Sequence, residues 1–127
     1  MNTTTRFLRR TVPVTLGAAL AAAAFSTTPA AADSGYWFST NGGASGKWIS
    51  AGKRVTACDI KVDGYKALVQ ILTINDSLVY SQIDTKVNHK CTTTHKGLFE
   101  GDYQIRVCTV VTGGRPVNCS AKHEFTV

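Results

Sequence analysis

The residues able to do chemistry here are acids, histidines and cysteines, and their spacing argues against a reaction centre. Asp59, Asp63, Asp76, Asp84, Glu100, Asp102 and Glu124 fall mostly at turns or strand ends, and no motif pairs them. His123 and Glu124 are adjacent on an extended segment, so they point to opposite faces. The sequence holds no GxSxG elbow, no HExxH and no phosphate-binding glycine loop. Cys58, Cys91, Cys108 and Cys119 lie 33, 17 and 11 positions apart with no CxxC, and His89, Cys91 and His95 sit in a Lys/Thr-rich stretch without carboxylates. No metal site and no cofactor are therefore expected. An enzyme needs a nucleophile with a base, paired carboxylates or a metal on adjacent rigid positions. The chain is expected to be non-catalytic, with a small secreted hydrolase as the alternative.

Two features fit binding instead. In TGGRPVN, Arg115 stands at the tip of a turn, followed by Pro116, and a rigid loop of this kind can present a basic residue to a protein or a protease active site at low ordering cost. The other reading is a plain hairpin turn. The triplet Tyr36-Trp37-Phe38, with Trp48 nearby, either offers a flat platform for a sugar ring or a protein hot spot, or staples the first strand into the core. The expected partner is thus an extracellular protein or a cell-wall glycan.

The elements that must position these residues begin after a leader. Arg6, Arg9 and Arg10 precede an apolar, alanine-rich run from Val12 to Phe25, and Ala30 and Ala32 stand at the −3 and −1 positions before Asp33. Residues 1–32 read as a cleaved signal peptide, with Pro13, Thr15 and the Ser26–Pro29 stretch interrupting the run too early for a membrane anchor. Residues 33–127 then form one secreted domain, monomeric and without membrane insertion. They carry eleven Lys and Arg against eight Asp and Glu, spread along the chain, with Lys47, Lys53 and Arg54 the densest group. Nucleic acid is not an expected partner.

Four cysteines in an exported chain read as two disulfides. A turn centred on Gly113-Gly114 places Cys108 opposite Cys119, leaving Cys58 for Cys91, the favoured of three possible connectivities. That register puts Phe125 on the wrong face relative to Ile105 and Val107 unless a β-bulge near Ser120 switches it back. Asp33–Gly46 is turn-rich. Short segments rich in β-branched and aromatic residues follow: Trp48–Ser50, Lys53–Val62, a return strand Lys66–Ile74 after a hairpin turn at Asp63-Gly64, Leu78–Ile83 after Asn75–Ser77, Asp102–Val111 and Cys119–Val127. Asp84–Lys96 is polar and reads as a loop or an irregular edge strand.

The pattern Leu98-x-x-Gly101-x-Tyr103-x-Ile105-x-Val107 resembles the tyrosine corner of immunoglobulin-like and fibronectin type III-like sandwiches. Roughly seven short strands at this spacing suggest an antiparallel sandwich or small barrel. The resemblance implies that the Tyr103 hydroxyl bonds backbone just upstream and favours an all-β, antiparallel Ig-like β-sandwich of about seven strands, with two disulfides expected from the cysteine count. Antibody-type domains carry a cysteine two residues after that tyrosine, where this chain has Ile105. WIS-x-G, the CD dipeptide, EGDYQIRVC and NCS are similar to small secreted actinobacterial β-sandwich proteins that mostly lack an assigned activity. Size, compartment and bridge count resemble the neocarzinostatin-type apoproteins, whose cysteine spacing is absent, so no chromophore is implied. They likewise resemble the tendamistat-type amylase inhibitors, whose Trp-Arg-Tyr triplet is absent.

Overall fold

A computed structural model describes residues 32–86 and 90–127. The expected leader lies outside the described residues except for Ala32, and so does His89. Among the described residues, eight strands form two four-stranded antiparallel sheets: β1 (Trp37–Phe38), β2 (Ala44–Ile49), β3 (Arg54–Asp59), β4 (Lys66–Thr73), β5 (Leu78–Ile83), β6 (Cys91–His95), β7 (Asp102–Val110) and β8 (His123–Thr126). One sheet runs β1-β2-β3-β6 and the other β5-β4-β7-β8. The fold is an all-β sandwich with two disulfides.

Alternation explains the core. Trp48, Val55 and Ala57 of the first sheet meet Val69, Ile71, Ile105, Val107 and Phe125 of the second. The sheets approach so closely at Gly46 that a Cβ there would lie 2.1 Å from Val69 Cγ2 and 2.8 Å from the Thr56 carbonyl oxygen. β4 departs from alternation, with six consecutive buried residues, because its outer face is covered as well. Leu68, Cys108 and Val110, with Cys119 laid against them, form a second small core on that side.

The structure corrects two readings of the connections. Asp63-Gly64 does not close a hairpin: β3 pairs with β2 and β6, β4 pairs with β5 and β7, and Ile60–Tyr65 carries the chain from one sheet to the other. A local turn signal does not say which strand the next one will pair with. The turn-rich stretch up to Gly46 also holds β1 and the start of β2. Cys91–His95, within the polar stretch, is an edge strand.

Two further crossings are fixed by single side chains. Asp84, fully buried after β5, accepts hydrogen bonds from Asp59 N (2.8 Å), Lys86 N (2.9 Å) and Thr92 Oγ1 (2.6 Å), tying the exit of β5 to β3 and β6. Before β7, the Tyr103 hydroxyl donates to the Phe99 carbonyl oxygen at 3.0 Å while its ring packs on Phe125 at 5.9 Å. Gly101, at φ 151°, takes the backbone conformation that leads into this strand.

Candidate binding surface at the hairpin end

Three connections gather at one end of the sandwich. Thr40 N donates to Asn118 O at 2.9 Å, Ile60 N to Gly43 O at 2.9 Å, and Lys61 Nζ to Asn41 O at 2.5 Å. The β7–β8 connection is the most built of the three. Thr109 and Val117 exchange two backbone bonds of 2.8 Å, and Gly114 N closes a turn on Val111 O at 2.8 Å. Gly113 sits third in that turn at φ 74°, the position where a type II turn demands positive φ. Below the tip, Cys108–Cys119 bridges the two arms. Residues 111–118 are all exposed, so Arg115 stands on a short loop whose base is held covalently.

The irregularity that reconciles the disulfide with the core straddles Cys119. Thr109 pairs with Val117, which centres the turn on Gly113 and sets Cys108 opposite Asn118 rather than opposite Cys119 as expected. Ser120 N then donates to Val107 O at 2.8 Å, and Ile105 pairs with His123 and Tyr103 with Phe125, so the returning arm takes up one extra residue before the bridge and one after it. Asn118 turns at φ 51° with its Nδ2 on Thr109 Oγ1 at 3.0 Å, and Ser120 Oγ accepts from Val107 N at 3.0 Å. Phe125 thereby faces the core.

Beside the hairpin lies a half-open groove of about 460 Å³. Val110 and Val111 of β7 and its exit, Ile83 of β5, Thr85, Lys66 of β4 and the turn 112–114 line it. Sequence reasoning missed this groove because its lining comes from separate strands and the turn that β7 enters, none of which carries a local binding signal. It also missed the burial of Asp84, which looks like any acid after a strand.

The aromatic triplet is divided by strand alternation. Tyr36 and Phe38 stand outward, 44% and 56% exposed, with rings 6.3 Å apart. The Tyr36 hydroxyl lies 3.3 Å from Cys58 Sγ, and Lys47 Nζ sits 4.9 Å from its ring centre. Trp37 turns the other way, half-buried, donates Nε1 to Ser34 O at 2.8 Å and stacks on His123 with ring centres 3.4 Å apart. Trp48 is fully buried. Tyr36 and Trp37 thus do not share a face, and both belong to a different sheet from the Arg115 hairpin. Cys58–Cys91 joins directly opposed residues of β3 and β6 on the Tyr36 side.

Among the described residues no group of three or more His, Cys, Asp or Glu side chains is placed to hold a metal, and no helix is long and apolar enough to cross a membrane. His123 is engaged with Trp37, and hydrogen bonds from Ser50 N (2.7 Å) and Ser50 Oγ (3.0 Å) hold the Asp33 carboxyl below its usual range. No protein-family model, curated protein or solved structure matches this chain.

Proposed function

We propose that this chain is an exported, monomeric, non-catalytic binding module of the immunoglobulin-like type that engages an extracellular protein through the Arg115 hairpin. The division of strands supports the architecture. Counted from β2, the first, second and fifth of seven strands make one sheet and the third, fourth, sixth and seventh the other, as in immunoglobulin-like sandwiches whose extra strand joins the sheet of the third. Export is supported by residues 1–32 and by two disulfides, which are compatible with an oxidising, extracellular environment.

The observation that carries the binding reading is the contrast within the hairpin: an exposed arginine tip on a base fixed by a disulfide and a pair of backbone bonds. Such preorganisation lowers the ordering cost of association. The test is inhibition of secreted serine proteases that cleave after basic residues. Stoichiometric inhibition that falls at least about tenfold in Arg115→Ala supports the reading, a tenfold loss being an ordinary cost for one charged contact. Inhibition indifferent to Arg115, or none at all, removes it.

A second reading, binding of a cell-wall glycan, is favoured by the exposed Tyr36–Phe38 pair, since sugar faces stack on flat aromatic surface. Retention on chitin or peptidoglycan, lost in Phe38→Ala and kept in Arg115→Ala, would establish it.

A further inference from the structure

We infer that the groove beside the hairpin is a site for a small amphiphilic organic anion: an apolar ring or short aliphatic chain ending in a carboxylate or sulfonate. This goes beyond the protein-partner reading and does not depend on it, because the groove lies at the root of the hairpin while that reading rests on its tip.

Size points to a small molecule. A half-open hollow of about 460 Å³ falls in the range of small-ligand sites, roughly 300–1,000 Å³. The apolar part of the occupant is set by Ile83, Val110 and Val111. Ile83 and Val111 are 42% and 43% exposed, so apolar surface faces solvent there.

The wall is also fixed in place. Gly114 packs on Val111 so closely that a Cβ would lie 2.4 Å from Val111 Cγ2, and the disulfide holds the arms below the turn. A hollow held open in this way costs a ligand little reorganisation.

Charge sets the other end of the occupant. Lys66 is the charged residue of the groove's lining, and it has no ion-pair partner among the described residues. Asp84, beside Thr85 of the lining, is fully buried under three donors. A lysine at the border of an apolar floor is complementary to an anion with an apolar body and to neither half alone.

The test uses two dyes on the full, oxidised chain: 8-anilinonaphthalene-1-sulfonate and its uncharged counterpart N-phenyl-1-naphthylamine. The expected result is saturable binding of one sulfonated dye per chain, displaced by decanoate, with the uncharged dye about tenfold weaker. Lys66→Met, which keeps the apolar stem, should also weaken the sulfonated dye about tenfold and leave the uncharged one unchanged. Ile83→Asp, at an exposed position, should abolish both. Because loosened folds also take up such dyes, each variant's thermal transition is measured alongside. Non-saturable uptake, equal affinity for the two dyes, or a folded Lys66→Met that binds like the parent would each overturn the proposal. Protease inhibition lost in Arg115→Ala with dye binding intact would separate this site from the hairpin-tip reading.

Discussion

The two outer faces of the sandwich each carry a cross-strand disulfide, yet they are built on different physics. On the first sheet the face is open to solvent: Lys47, the Thr56–Thr93 hydroxyl pair at 2.9 Å, Cys58–Cys91 between directly opposed strand residues, and the exposed rings of Tyr36 and Phe38 at its β1 edge. On the second sheet Leu68, Cys108 and Val110 are buried on what is nominally the outside, because Cys119 and the returning arm are laid over them. One bridge ties two strands already side by side; the other folds a piece of chain down onto an apolar face and leaves a groove at its border. The same bond therefore fastens an edge in one place and shapes a surface in the other.

The sharpest way to break this comparison is to remove the bridges in turn. Loop entropy alone ranks Cys58–Cys91 higher, at about 3.7 kcal/mol for its longer loop against about 2.8 kcal/mol for Cys108–Cys119. Burial reverses the order, since losing the second bridge also uncovers the small core, adding roughly 1–2 kcal/mol. Cys108→Ala with Cys119→Ala is expected to lower the urea-unfolding free energy more than Cys58→Ala with Cys91→Ala. The opposite order would mean the outer core contributes less than about 0.9 kcal/mol, the gap between the two loop terms.

Next in size is the core that both faces share. Gly46→Ala would drive a methyl into Val69 and the Thr56 carbonyl, and an overpacked sheet contact of this kind costs about 3 kcal/mol by denaturant titration. A neutral Gly46→Ala would show that the sheets can separate there without penalty.

The faces themselves are compared by truncation. Leu68→Ala is expected to cost about 2–3 kcal/mol, as an interior leucine does, whereas Thr93→Ala on the open face costs about 1 kcal/mol or less. Equal values would erase the distinction between a covered face and an open one.

The smallest effect is electrostatic. Hydrogen bonds from Ser50 lower the Asp33 pKa in the folded chain. Their stabilisation is therefore complete above the unfolded carboxyl value of about 3.9 and is lost as pH falls through the lower folded value. Asp33→Asn should lower the unfolding midpoint slightly at neutral pH, with variant and parent converging as pH falls below about 4, where the parent has lost the same contribution. An unaltered acid limb would place the sensitivity elsewhere.

Much of the fold was legible because local chemistry specified it. Asn75–Ser77 does turn β4 into β5, and Asp76 adopts φ 67° there. The cysteine pairing was legible from the spacing around one turn, although that turn is centred on Gly113 rather than on Gly113-Gly114, and the irregularity lies between Val117 and His123. The hairpin carrying Arg115 was visible for the same reason. The groove was not, since Lys66, Ile83 and Val110 are far apart in sequence and ordinary in type. Reading Tyr36-Trp37-Phe38 as one unit overlooked that an extended chain must send its middle residue the other way.

By itself the sequence determined an all-β chain, its two bridges and the exposed turn bearing Arg115, because side-chain alternation, turn glycines and cysteine spacing act over a few residues. Only the tertiary structure decided that β3 and β4 belong to different sheets, that Trp37 lies against His123, that Asp84 is buried among three donors, and that one outer face is roofed. Those outcomes depend on which distant strands pair, and strand pairing is settled by the burial of whole faces at once rather than by any local run of residues.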